Sequence, residues 1–310
     1  MILAFSHEGD DHTPAVLEAL ARRGLEARLL DVSALPARGT LALGYGQGES
    51  LGLRIDGAPP HDLSEVSALW WRRMRPMAAR ADLPAEEAAF AVRQTFEAVL
   101  GLVGAISSHA LLVNDPWREN LAAHKTHQLA AARRVGLRVP HTLVTNDPVE
   151  AARFLEARGA DGAVKKAVHA TVADWHRTHR LDPGARLDGL RDAPAIFQER
   201  IPGVDVRVTV VGERLFAADI DARETPAADD YRGLEGLCRF APCELPAVEA
   251  AKLLALVRGL GLQFATIDYR RRDDGAWFFL ELNPAGQWLF VEERTGQPIA
   301  AALAALLAGA

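Results

Sequence analysis

The alternation of apolar and polar positions divides the chain into a series of short elements. "MILAF" reads as an apolar strand. "TPAVLEALARRG" follows with helical spacing, Thr13 as its N-cap, Pro14 in its first turn and Gly24 as its stop. "LEARLLDV" is a second strand, so the chain begins β-α-β, which predicts a parallel sheet. Residues 40–64 are rich in Gly and Pro and read as a hairpin and loop. "VSALWWRRM" is a strand, a helix spans about 84–104, and "ALLVN" is a short strand. Residues 1–113 therefore read as one open α/β subdomain.

The pattern then changes. "DPWRENLAAHKTHQLAAARRVG" reads as one helix from Asp115-Pro116 to Gly136, followed by the strand "LRVPHTLVTND", the helix "PVEAARFLEARG" and the strand "GAVKKAV". Residues 170–193 are polar and irregular, as expected of a lid loop. Three strands come next, "AIFQERI", "VDVRVTVVG" and "RLFAADIDA", then the amphipathic helix "LPAVEAAKLLALVRGLG". A hairpin, "QFATIDYRRRDDGAWFFLELN", and the C-terminal helix "PIAAALAALLAGA" complete the chain. From 114 onward this is an α+β region on antiparallel strands, divided into a central part, 114–193, and a C-terminal part, 194–310.

Composition narrows the function classes. The 310 residues are 49 % hydrophobic and 25 % charged, enough for a sizeable core. The net charge of −6 argues against a nucleic-acid partner held by bulk charge. There is no run of 18 apolar residues, so no membrane span is expected, and the N-terminus lacks a signal-peptide pattern. Cys238 and Cys243 have no metal spacing. A cytoplasmic enzyme is the expectation. Only four of the 35 basic residues are lysine, Lys125, Lys165, Lys166 and Lys252. A lysine kept inside an apolar segment therefore invites a reason.

The hairpin carries the chemistry. With Asp274-Gly275 as a two-residue turn, Asp268 pairs with Glu281 across the strands, and Asn283 shares their face. Like charges placed opposite each other are destabilising, and burying them costs more. Two carboxylates and an amide are hard oxygen donors suited to Mg²⁺. The alternative is a solvated acidic face beside Arg270, Arg271 and Arg272; the flanking "FATI" and "WFFL" count against it.

At these residues the chain resembles the ATP-grasp superfamily, in which an Asp on one strand and a Glu-x-Asn on the next hold two Mg²⁺ ions that bridge ATP phosphates. The resemblance implies Asp268, Glu281 and Asn283 as metal ligands and ATP with Mg²⁺ as cofactors. It also implies phosphate contacts from Lys125 and from Lys165, with Lys166, on the other face of that strand, as the alternate. "IFQERIPGVDVRV" fits the family's hinge: Glu199 and Ile201 for adenine, Asp205 for ribose and Arg207 for a phosphate or acyl phosphate. Residues 167–193 lack the Gly cluster that many such ligases carry there; His169, Thr171 or Arg177 would have to serve instead. The fold implied is ATP-grasp with an N-terminal pre-ATP-grasp α/β subdomain.

"FLELNPAGQWLFVEERTGQPI", "ALWWRRMRP" and "CRFAPCELP" resemble more narrowly the ligases that mature microviridins and related graspetides. That resemblance implies a precursor peptide, with a leader and an acidic core, as partner. Its Glu or Asp side chains become acyl phosphates, which Thr or Ser hydroxyls or Lys amines attack to close rings. The family also implies a homodimer. Arg207 and Arg223 lie on adjacent strands, and either suits an acyl phosphate; an ion pair with Asp219 or Asp221 is the alternative. Arg72 and Arg73 end a strand of the first subdomain, where an acidic peptide would be drawn. Two other functions stay open: a ligase that adds an amino acid to a protein tail or small molecule, like glutamate-adding or glutathione-forming enzymes, and a non-catalytic binder. His124 with His127, and His176 with His179, lack partner ligands and read as surface histidines. "GYGQGES" is no P-loop, and Trp70 and Trp71 read as core and interface.

Overall fold

A computed structural model describes residues 1–45, 50–55, 61–159, 162–169, 178–226, 229–232 and 234–309. Thr171, His176, Arg177 and most of "GYGQGES" lie outside these residues. The N-terminal unit is a parallel sheet in the order β2 (Ala27–Leu30), β1 (Ile2–Phe5), β6 (Ala68–Trp71), β7 (Leu111–Val113). Helices α1 (His12–Arg22) and α2 (Ala85–Ile106) accompany it. The Gly-rich stretch forms the antiparallel pair β3 (Gly39–Gly44) and β4 (Ser50–Ile55), with β5 (His61–Asp62) on its edge.

Two expectations for this unit change. α1 begins earlier than Thr13, after Asp11, because the Thr13 hydroxyl donates to Asp10 Oδ2 (2.6 Å) instead of capping the helix. α2 is long and apolar enough by length and composition to cross a membrane. The search for an unbroken apolar run missed it because Arg93 and Glu97 interrupt the stretch. Its inner face, Val99, Leu102, Val103 and Ile106, is packed against the sheet.

The expected single helix after Asp115 is two, α3 (Pro116–Ala122) and α4 (Lys125–Arg134). The break follows from Gln128, whose side chain donates to Ala122 O and to Leu282 O, both at 2.7 Å, drawing the freed end of α3 onto a strand. Lys125 thereby becomes the first residue of a helix rather than a mid-helix side chain.

The central sheet runs β10 (His179–Leu181), β9 (Ala163–Ala167), β11 (Ala195–Glu199), β8 (Thr142–Thr145), all antiparallel, backed by α5 (Pro148–Arg158). A division after residue 193 would cut this sheet, because β11 pairs with both β8 and β9. The third sheet is β14 (Arg239–Pro242), β13 (Arg214–Asp221), β12 (Val204–Val211), β15 (Phe264–Arg271), β16 (Trp277–Asn283). One of its faces buries Val206, Val208, Val210, Ile267 and Phe279 against α4 and α6 (Ala247–Gly259). α7 (Leu289–Thr295) and α8 (Ile299–Leu307) carry the chain back to the N-terminal unit. There Ile299 and Leu303 share one core with Val16, Leu20, Trp70, Phe264 and Trp288. The first and last parts of the chain are thus packed together by apolar burial, the main favourable term in folding.

Candidate active site

Asp268 lies opposite Glu281, and Thr266 opposite Asn283. The route to that pairing differs from the expected one. Gly275, at φ +81°, closes a longer turn in which Arg272 N donates to Ala276 O. Trp277 therefore faces Arg271, not Arg272. A bulge between Asp268 and Tyr269, with Leu280 as the extra residue, restores the acidic pair. Without it Asp268 would oppose Leu280, and Glu281 would turn to the other face.

Cations from three other elements answer the two carboxylates. Arg207, opposite Asp268 on β12, donates to its Oδ1 at 2.6 Å and, through the other amine, to Gln287 O at 2.7 Å. Lys125 Nζ is 3.3 Å from Glu281 Oε2 and donates to Ala167 O at 3.4 Å. Arg232 Nη1 is 3.7 Å from Glu281 Oε1 and is itself held by Asp230 at 2.7 Å. Burial pushes the Glu281 carboxyl up, but Lys125, Lys166 and Arg232 outweigh it and hold it below the usual carboxylate range. Asp268, Glu281, Asn283, Arg207, Tyr231 and Arg232 line one cavity of about 720 Å³.

Of the two lysines on β9, Lys166, the alternate, faces the cleft, and Lys165 does not. Ala163 packs with α5, so Lys165, two residues on, shares the face turned away from the cleft. Val164 and Lys166 line the cleft side together with Gln198, Glu199 and Ile201. Lys166 Nζ donates to Gln198 Oε1 at 2.9 Å, and burial lowers its pKa. Glu199 Oε2 accepts from His141 N at 3.1 Å. Asp205 adjoins them in a cleft shared with Lys166, Asp268 and Glu281. It pairs with Arg270 at 3.1 Å, its Oδ2 has no hydrogen-bond partner among the described residues, and burial raises its pKa to about 7.

Arg223 is not part of this constellation. It is exposed and paired with Asp221 at 2.9 Å and with Asp273 at 3.1 Å, on a separate surface cleft with Glu224 and Arg239. Its strand alternates like that of Arg207, but its position lies beyond the end of β13, where solvent and two aspartates are nearer than the site. Arg72 and Arg73 also separate. Arg73 lines the main cavity. Arg72 is 2 % exposed and donates to Ala285 O and Gly286 O (the latter at 3.1 Å), so it holds backbone and does not face a peptide.

The turn after Asn283 is held at each carbonyl. Asn114 Nδ2 donates to Pro284 O at 3.0 Å, Arg72 takes the next two, and Arg207 takes Gln287 O. A Cβ at Gly286 would lie 1.6 Å from Thr266 Oγ1, so the strand permits only glycine there.

The donor set fits Mg²⁺. Among the described residues no group of three or more His, Cys, Asp and Glu forms a protein-only metal cluster. Two carboxylates and an amide on one cavity wall match an ion that keeps waters and shares phosphate oxygens. Their present answer by Arg207 and Lys125 marks the same points as places for positive charge.

Pattern reading missed Arg232, Tyr231 and Asp230, which lie in a loop without periodicity. It also missed Glu119, Gln128 and His12. Gln128 and His12 act through backbone contacts 154 and 276 residues away in sequence, for which no local signal exists.

Residues 1–113 match the family model described as "MvdD pre-ATP grasp domain". The full chain is similar to macrocyclase MdnC from Microcystis aeruginosa MRC, solved bound with precursor peptide MdnA. Identity is 27 %, coverage 100 % of this chain and 99 % of that one, and the TM-score 0.88. A Chryseobacterium gregarium RiPP-associated ATP-grasp ligase, solved in complex with ADP and a leader and core peptide, is 25 % identical. Coverage there is 99 % and 96 %, with a TM-score of 0.89. The ATP-grasp ligase PsnB, complexed with minimal precursor, Mg and ADP, is 26 % identical, with coverage of 99 % and 96 % and a TM-score of 0.80. No curated protein matches.

Proposed function

We propose that this chain is an ATP-grasp ligase that closes rings in a ribosomal precursor peptide. The observation that carries the reading is the convergence of Asp268, Glu281 and Asn283 with Arg207 and Arg232 in one cavity, with Lys125 3.3 Å from Glu281. The peptide substrate is supported by full-length likeness to ligases solved with precursor peptides. The cofactors proposed are ATP and two Mg²⁺ ions, whose charge, once bound, offsets that of the phosphates.

A carboxylate is a poor electrophile because its leaving group would be oxide. An oxygen of a Glu or Asp side chain attacks the γ-phosphorus, ADP leaves, and an acyl phosphate forms. A Thr or Ser hydroxyl, or a Lys amine, of the same peptide then attacks the carbonyl carbon. The bond from carbon to phosphate oxygen breaks, phosphate leaves, and the nucleophile's proton is lost to water. The protein positions the reactants and neutralises charge. Lys125 and Lys166 are assigned to the ATP phosphates, Glu199 and Ile201 to adenine, and Asp205 to ribose. Arg207 is assigned to the acyl phosphate, and Arg73 to the acidic peptide. Cytoplasmic location agrees with the ATP requirement.

The test is the mass of a short peptide encoded beside this chain's gene, with Thr/Ser- or Lys-rich and Glu/Asp-rich repeats. Incubation with the enzyme, ATP and Mg²⁺ is expected to remove one water per ring. A mass gain equal to an amino acid would instead make the chain an amino-acid-adding ligase.

A further inference from the structure

The turn that follows the candidate metal strand is gripped from the N-terminal unit by a buried histidine. His12, at the start of α1, accepts hydrogen bonds at Nε2 from Trp288 N (3.1 Å) and Leu289 N (3.3 Å). Its other nitrogen, Nδ1, is 3.3 Å from Asp10 Oδ1. Two donors at Nε2 require that nitrogen to be unprotonated, so the ring proton sits on Nδ1 facing Asp10. Asp10 is fixed in turn: its Oδ2 accepts from Ser6 (3.1 Å) and Thr13 (2.6 Å) and lies 3.5 Å from Arg72 Nε. Arg72 completes the grip at Ala285 O and Gly286 O. The Trp288 indole stands edge-on to the imidazole, 5.1 Å between centroids. His12, Asp10 and Arg72 are all buried.

We propose that His12, oriented by Asp10, is a positioning residue that holds the 284–289 turn for nucleotide binding. Asn283 immediately precedes this turn, and Gln287 within it anchors Arg207. His12 thus acts on Asn283 and Arg207 through backbone and touches no substrate. The inference rests on the reading of that cavity as the Mg²⁺–nucleotide site.

The charged groups around His12 give the device a direction in pH. Burial pulls its pKa below the usual value, Asp10 pushes it up, and Arg72 and Arg73 pull it down. Protonation would place an N–H against two backbone N–H donors and break the grip. A folded-state pKa below the ordinary value means that the contribution is intact above about pH 6.5 and is lost as pH falls through the folded value.

The test is calorimetric titration of the full chain with Mg²⁺ and AMP-PNP between about pH 5 and 8, in the wild type, His12→Ala and His12→Gln. His12→Ala is expected to bind about tenfold more weakly at neutral pH. His12→Gln, whose carbonyl oxygen accepts both N–H groups and does not titrate, is expected to recover that affinity and to lose less of it on the acid side than the wild type, the shared remainder belonging to Asp205 and the nucleotide phosphates. The wild type is expected to weaken on the acid side. If His12→Ala does not fold, the His12→Gln profile decides alone: acid weakening equal to the wild type overturns the proposal, as does unchanged affinity in His12→Ala. A wild type that binds no Mg²⁺–AMP-PNP at any pH overturns the nucleotide-site reading itself.

Discussion

The two walls of the cleft hold their charges differently. On the C-terminal sheet the acids and bases are matched within the sheet: Arg207 with Asp268 at 2.6 Å and Arg270 with Asp205 at 3.1 Å. On the central sheet Lys166 donates to a neutral amide, Gln198, and feels Glu281 without an ion pair to it. A buried ion pair is fixed by geometry and is destabilised strongly when one partner is removed. A buried lysine on an amide keeps its charge available, at the cost of desolvation, for a ligand that brings its own negative charge. The first wall is a preset template, and the second, on the proposed function, is the place for a phosphate contact.

The largest effect is expected on the template wall. Glu281→Gln or Asp268→Asn should lower ATP-dependent turnover by about a thousandfold or more, on the scale of losing a preorganised electrostatic contact. Steady-state ADP release measures this, and turnover retained in both variants would break the comparison. On the other wall, Lys166→Met should cost roughly a hundredfold in kcat/KM for ATP, with Lys165→Met within about threefold of wild type. A larger loss in Lys165→Met than in Lys166→Met would mean that β9 presents the opposite face to the nucleotide.

Acid groups at the cavity edge give a stability test. Burial raises the Glu119 pKa to about 8, against the pull of Asn114, Arg72 and Arg73. A carboxyl raised on folding contributes stability that is whole below its unfolded value and is lost as pH rises through about 8. The Tm of wild type relative to Glu119→Gln should therefore fall between about pH 4.5 and 8. A parallel course of the two Tm values would contradict the buried setting. Arg223→Ala should give the smallest effect, with Tm and turnover both close to wild type, because its ion pairs with Asp221 and Asp273 lie at the solvent-exposed surface.

Much of this was legible in the chain. The acidic pair, the β-α-β start and the lysine on α4 follow from local pattern and resemblance. Legibility stopped where one residue of offset decides a side chain's face. The β9 pair Lys165-Lys166 differs only in which neighbour meets α5, a tertiary fact. The hairpin pairing came out as expected although the turn did not, because the Leu280 bulge offsets a longer loop. Arg72 and Arg73 look alike in sequence, yet one holds a backbone turn and the other lines the cavity. His12 and Gln128 could not be read at all, since their partners are brought near only by the α8 return and the α3–α4 break.

Isotope transfer tests the central claim most directly. A substrate peptide carrying ¹⁸O in its Glu or Asp side chains is incubated with the enzyme, ATP and Mg²⁺, and the released phosphate is examined by mass spectrometry. Activation as an acyl phosphate moves one ¹⁸O into phosphate for every ring closed, and Glu281→Gln should release none. Ring closure with unlabelled phosphate would contradict the account.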